Sequence, residues 1–453
     1  MRVVSTACRL ALIAAAGIGA ATLASTDAHA AATNGAKAAN AQETLDAGLW
    51  REIQQIRAID NHTHADPADA DRITAWDSGA PLGRPRYPDV APLRSDNPEW
   101  RLAWRALYGY PYRDIEAGHV RALLETKRAK ARERGESWPV GVLDAAGVQV
   151  ALVNAAQLGA GQRNDRFRWV PYADPLLWPF AGDASPLRFA GGAISNERLR
   201  EEAGLGSLPP TLDAYVEQLV QPTLARWKDS GAVAVKFLSA YARSLAFEPV
   251  ERPLAAALYS KAAGGQALTA AERKTLEDFL FCGIAASAGA RGLVVHVHTG
   301  NGDGPYFDNG RANPSLLEPA LGSEPLRGTN FVLLHGGWPF TSVAQAMLDK
   351  PNTYADFSAQ TFYLSTRALA VVLRDWLEWH PEKVLFGSDA YSDAASPLTD
   401  YEEKQWLMTY KARRALAIAL TGMMRDEGIS RARGVELARM VLHDNAARLY
   451  GIQ

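Results

Sequence analysis

His62 and His64 stand two apart in Asp60-Asn61-His62-Thr63-His64. On an extended chain, side chains two apart point the same way, so both imidazoles can grip one ion. His298 and Asp389 can complete such a site and leave one position open for water. Imidazole plus carboxylate suits Zn²⁺, and Fe²⁺ or Mn²⁺ also fit. Such an ion lowers the pKa of water towards about 7 and polarises a carbonyl oxygen. A catalytic base or proton shuttle is then needed, and Asp389 or His335 can serve.

Lys236 sits in the apolar run Val233-Ala234-Val235-Lys236-Phe237. A lysine there is costly to bury unless paired or modified. Three readings stand: a carboxylated lysine bridging two ions, with His335 on the second; a lysine beside a single ion; or a salt bridge to a helix outside the site. His296 shares a strand face with His298 but lies one layer deeper, so His298 is the expected ligand and His296 its support. His119, His380 and His443 fall in helix or loop contexts and are read as surface or structural.

These residues matter only if elements gather them. Short apolar or β-branched runs recur, each followed by turn residues and a helix-like stretch. They are Ile56 to Ile59, Val148 to Val153, Phe167 to Val170, Val233 to Phe237, Leu293 to Val297, Phe331 to Leu334, Thr353 to Phe357 and Val384 to Gly387. Near-continuous apolar runs suit parallel strands buried on both faces. Eight βα units suggest an α/β fold of the closed (β/α)8 TIM-barrel kind. In a barrel the strand ends converge on one face, where His62, His64, Lys236, His298, His335 and Asp389 would meet. Residues 66–140 break the alternation with many aromatic, Arg and Pro residues. They read as an insertion after strand 1, either a lid or an appendage on the barrel side. A helix is expected over Glu43 to Gln55, and a C-terminal helical region from Tyr401 onward.

Composition sets the outer bounds. With 47% hydrophobic and 22% charged residues, the 453-residue chain can bury a large core. A net charge of −2 gives no sign of a nucleic-acid or anionic-membrane partner. No internal repeat of fixed period is visible. Residues 1–30 combine a basic start, an apolar run and Ala28-His29-Ala30, and read as a signal peptide cut after Ala30. A membrane anchor is the alternative, against which the run is short and Ala-rich. Residues 31–42 are a flexible lead-in and 43–453 the barrel. The expected location is periplasmic or secreted, with no membrane contact after signal removal. Cleavage removes Cys8 and leaves Cys282 alone in an apolar segment, a small hydrophobe rather than a nucleophile.

The combined pattern resembles the amidohydrolase superfamily. Asp60-Asn61-His62-Thr63-His64, His298-Thr299-Gly300, His335-Gly336-Gly337, Phe386-Gly387-Ser388-Asp389 and the closing Asn445-Ala446-Ala447-Arg448-Leu449-Tyr450 carry the likeness. Within it the chain looks most like the amidohydrolase-related ("amidohydrolase 2") branch and the nodulin-like domain fused to glutamine synthetases. Lys236 to Tyr241, Arg243 and His298 to Asp303 support that closer match, although Arg243 stands one residue later than the usual Tyr-Arg pair. The resemblance implies metal ligation by His62, His64, His298 and Asp389. It gives His335 substrate polarisation or a second ion, and makes Lys236 the strand-4 position that some members carboxylate.

The leading expectation is a hydrolase attacking a small amide, peptide-like or ester substrate, with one or two divalent ions, Zn²⁺ foremost. A decarboxylase or lyase on the same site and a non-catalytic periplasmic binding protein are the alternatives, since fold and metal do not fix the reaction. Tyr241, Asp303, Trp338, Gln360 and Tyr391 follow strands and are candidate pocket residues; Arg243 is a candidate bidentate partner for a substrate carboxylate. The partner is a small molecule, and a homo-oligomer is allowed.

Overall fold

Each apolar run becomes a short parallel strand. The computed structural model describes residues 45–65, 90–181, 195–302, 307–392 and 397–453. The expected signal peptide and lead-in, part of the insertion, and Asp303 lie outside the described residues. The strands are β1 Ala58–Thr63, β2 Val148–Asn154, β3 Phe167–Val170, β4 Ala234–Phe237, β5 Val294–His298, β6 Phe331–Leu334, β7 Thr353–Asp356 and β8 Val384–Leu385. They form two parallel sheets, β1-β2-β3 and β4-β5-β6-β7-β8. Isolated bridges span the two seams: Trp169 to Ala232 and Tyr172 to Lys236 on one side, His64 to Tyr391 on the other.

Alternation along the strands sorts the side chains into two layers. Val235, Val297 and Leu333 pack in the large cluster that includes helix residues such as Phe281, Leu373 and Leu416. Ile59, Val150, Val170, Ala234, Val294, Val332 and Leu385 form a smaller cluster, joined by Ala446 and Ile452 from the chain end. Lys236 follows the parity of Ala234, and His296 and His298 that of Val294. All three therefore belong on the inner face.

Two expected boundaries move. The first strand is not Ile56 to Ile59; it runs on through Asp60, Asn61 and His62. Its polar residues are held by backbone bonds such as Asn61 N–H to Phe386 C=O, 2.8 Å. The first helix is Ala47–Gln55, because the Asp46 side chain caps it by accepting from Leu49 N–H. Between β1 and β2 lie helices Trp100–Tyr108, Ala117–Arg134 and Trp138–Ala146, and the chain closes on Tyr401–Arg425, Arg431–Arg439 and Asn445–Tyr450. Among the described residues no helix is long and apolar enough to cross a membrane.

Candidate metal centre

His62 lies within β1 and His64 just beyond it, so the strand's pleat aims both rings one way. Asp389 comes to them from the segment after β8. Its N–H donates to His62 C=O at 2.8 Å, and His64 N–H donates to Ala390 C=O at 2.7 Å. These bonds place Asp389 Oδ1 3.0 Å from His62 Nε2 and 3.5 Å from His64 Nε2. The three residues form a cluster whose ligand atoms all lie within 4.8 Å of one another. The His62 side chain is 1% exposed, against 29% for His64 and 18% for Asp389, so the cluster opens on the side of those two.

His298 and His335 form a second, linked pair. Asp356 Oδ1 accepts from His335 N–H at 2.8 Å, from Ser358 N–H at 3.1 Å and from the Ser358 hydroxyl at 2.6 Å. With its proton given to Asp356, the Ser358 hydroxyl can only accept from His335 Nδ1, 2.9 Å away. His335 is thus the Nδ1–H tautomer, and its Nε2 accepts from His298 Nδ1 at 3.1 Å. That leaves a lone pair on His298 Nε2, which is buried without a hydrogen-bond partner.

The charges point the same way. Burial holds His62, His298 and His335 well below the ordinary histidine range, and the nearby Lys236 cation adds to this. His64 is lowered to about 3 by the same two causes. All four rings are therefore neutral at pH 7 and able to ligate. Burial lowers the pKa of Lys236 and raises that of Asp389, while each group opposes the other's shift. Lys236 is 1% exposed on the inner face, with Asp389, Asp356 and Asp174 as its acidic neighbours, which disfavours a bridge to an outer helix.

The donor set fits a divalent cation. His62 Nε2 is buried and makes no hydrogen bond, although a carboxylate oxygen stands 3.0 Å away. Asn154 Nδ2 lies 3.0 Å from His62 Nδ1. Turning that amide by half a turn keeps its shape and lets its oxygen accept from Nδ1–H, freeing the Nε2 lone pair. Two electron-rich atoms facing each other across 3.0 Å are reconciled by a proton or by a cation between them, and the neutral imidazoles gathered around Asp389 suit the cation.

A family model described as Amidohydrolase matches residues 209–452, more than half of the chain. The chain belongs to the amidohydrolase family. The matched span holds Lys236, His298, His335 and Asp389 and begins after His62 and His64. Solved structures similar to this amidohydrolase include a protein described as a metal-dependent hydrolase from Lactobacillus casei, 17% identical with a TM-score of 0.57, covering 89% of this chain and 97% of that one. Uronate isomerase from Thermotoga maritima is 15% identical, TM-score 0.60, over 89% of this chain and 96% of its own. Glucuronate isomerase from Caulobacter crescentus is 14% identical, TM-score 0.61, over 90% and 93%. At these identities the likeness is one of fold. No curated protein matches the sequence.

The amidohydrolase's other expected site residues divide. Tyr241 packs beside the His298 ring at 4.6 Å between centroids. Trp338 stacks on Tyr363 at 5.1 Å, and Tyr391 meets Phe362 edge-on at 5.9 Å. Gln360 is fully buried and donates to His335 C=O at 3.0 Å, so it braces the site instead of lining a pocket. Arg243 is a correction. Its guanidinium donates to Glu277 at 2.7 Å, to Asp278 and to Ser244 C=O, and lies over Phe247. A fork so engaged has no face left for a substrate carboxylate. His119, His380 and His443 sit with Asp114, Asp349 and Glu382, and Asp444 respectively, away from this centre. Cys282 is half-buried, and burial pushes its thiol up to about 12, so it is no nucleophile.

Sequence reasoning missed the groups that orient the ligands. Asn154 ends β2 beside His62, and the Tyr172 hydroxyl lies 3.3 Å from His64 Nδ1. Asp60 ties β1 to the Asp389 segment, accepting from Ser388 N–H and Gln405 Nε2, each at 2.8 Å. The available signal was position: Asp60, Asn154 and Asp356 are polar residues in or closing otherwise apolar runs.

Proposed function

We propose that this amidohydrolase is an exported, metal-dependent hydrolase of small amide, peptide-like or ester substrates. The eight strands close as a (β/α)8 barrel, a reading supported by the bridged seams and by the inner cluster to which both sheets contribute. His62, His64 and Asp389 would hold one divalent ion, Zn²⁺ first among candidates, with His298 Nε2 as the fourth donor. The observation that carries this is the 3.0 Å approach of Asp389 Oδ1 to the unpartnered, buried His62 Nε2. When bound, the cation supplies Lewis acidity, drawing charge from a carbonyl oxygen and making water more acidic.

The chain's own residues do the rest. Asp389, with its basicity raised by burial, takes a proton from water and returns it to the leaving amine or alcohol. Lys236 keeps a positive charge beneath that carboxylate. Tyr241, Trp338 and Tyr391 wall the approach. The branch resembling the nodulin-like domain is favoured by the Lys236 to Tyr241 and His298 to Asp303 segments.

Elemental analysis of purified protein should find about one or two divalent ions per chain. Chelation should abolish turnover in a screen of amides, N-acyl amino acids, dipeptides and lactones. Full activity in metal-free protein would refute the proposal. Two of the fold relatives are uronate isomerases, so uronates join the screen. An isomerised uronate, or carbon dioxide released without a hydrolysis product, would reassign the reaction on the same site.

A further inference from the structure

Beneath the centre runs a string of polar groups that the reaction above does not use. Tyr450, the last residue of the closing helix, donates its hydroxyl proton to Asn61 Oδ1. His296 Nε2 lies 2.7 Å from the Tyr450 hydroxyl oxygen. Since that proton is committed to Asn61, the imidazole must be the donor. Asn61 Nδ2 then donates to Asp356 Oδ2 at 2.8 Å. Asp356 Oδ1 is the atom that collects His335 N–H and the Ser358 hydroxyl. Asn61, His296 and Asp356 are all fully buried.

We propose that Tyr450 is a positioning residue, acting through Asn61 and Asp356 to fix the ring tautomer of His335 and hence the free nitrogen of His298. The proposal rests on the metal reading above for its purpose. Carboxylate and amide torsions are broad, so neither Asp356 nor Asn61 orients itself. Asn61 is gripped at both ends, its oxygen by Tyr450 and its nitrogen by Asp356. Removing the hydroxyl frees one end and loosens the carboxylate. Ser358 then has a less well-placed acceptor and can donate to His335 Nδ1 instead. That reversal moves the His335 proton to Nε2, which donates to His298 Nδ1 and leaves the His298 proton on Nε2. The ligand lone pair is lost through five successive hydrogen bonds, with no substitution of any ligand residue. The chain end thus serves the centre as well as closing the inner cluster.

The test is Tyr450→Phe in the full chain, which removes one oxygen. Metal-free protein labelled with ¹⁵N-histidine reports each ring's tautomer by two-bond ¹H–¹⁵N correlation. Wild type should show His335 protonated at Nδ1 and His298 unprotonated at Nε2. Tyr450→Phe should show mixed tautomers for both, and Co²⁺ titration should show affinity weakened about tenfold. Wild-type tautomers with Co²⁺ affinity within about twofold would overturn the proposal. If Tyr450→Phe does not fold, Asn61→Ala cuts the same string elsewhere and is judged by the same readouts. A wild type that takes up no Co²⁺ would overturn the metal reading, and the tautomers of the metal-free protein would still decide the role of Tyr450.

Discussion

Arg243 and His335 both follow strands, yet one is structural and the other faces the centre. The difference lies in what surrounds each. Arg243 is 11% exposed and neutralises Glu277 and Asp278, which are 10% and 2% exposed. Arg243→Ala leaves two buried carboxylates short of a partner, although Lys274 still reaches Asp278. The cost of breaking a buried pair in this way is about 3 kcal/mol. Thermal denaturation should therefore show a clear loss of stability, while KM for any substrate found stays at the wild-type value. A raised KM at unchanged stability would return Arg243 to substrate binding.

The loops after β5 to β8 are held in costly conformations that place the candidate ligands. His335, Ala359 and Asp389 have φ of 66°, 55° and 54°, and only Glu427 among the other described non-glycine residues is positive. Strain of this kind costs about 1–3 kcal/mol per residue and persists where packing over-determines it. Gly300 shows the packing: a Cβ there would lie 2.3 Å from Trp338 O, at a φ of +72°. Gly204 has the same φ with nothing within 4 Å, so it isolates backbone strain from collision. Gly204→Ala should lose about 1 kcal/mol by denaturant unfolding and keep its activity. Gly300→Ala should lose more, and turnover with it, because the β5 and β6 loops must part. Equal losses would show that the loop contact is dispensable. Much of this architecture was legible: Phe167–Val170 and Phe331–Leu334 fall where their apolar runs predict, and His62, His64 and Asp389 meet as their spacing suggests. The departures share a cause. The sequence pattern registers apolar periodicity, so it stopped β1 at Ile59, before the polar residues that the strand actually carries. It also could not see that a helix places Glu277 and Asp278 beside Arg243, because that contact spans more than 30 residues.

At the scale of the whole molecule, the segment after β1 is bolted to the start of the Tyr401–Arg425 helix. Trp104 Nε1 donates to Leu398 C=O at 2.7 Å, Trp138 Nε1 to Glu402 Oε1 at 2.8 Å, and Lys127 Nζ to Pro397 C=O at 2.6 Å. Lys127 also pairs with Glu403 at 2.7 Å, and the Glu403 side chain is fully buried. Burial pushes Glu403 up to about 7 from an ordinary 4.5, with Lys127 opposing the shift and Glu402 adding to it. The sign of the pH effect follows. Between pH 4.5 and about 7 the folded state holds a proton that the unfolded chain has released, so stability falls as pH rises through that window. Glu403→Gln has no proton to lose. Its melting temperature relative to wild type should therefore climb from pH 5 to pH 8, whatever the offset at pH 5 from the lost Lys127 pair. A difference that stays flat, or moves in favour of wild type, would mean that Lys127 keeps Glu403 ionised throughout. The clamp would then be a permanent ion pair and not a joint that weakens as the carboxyl ionises.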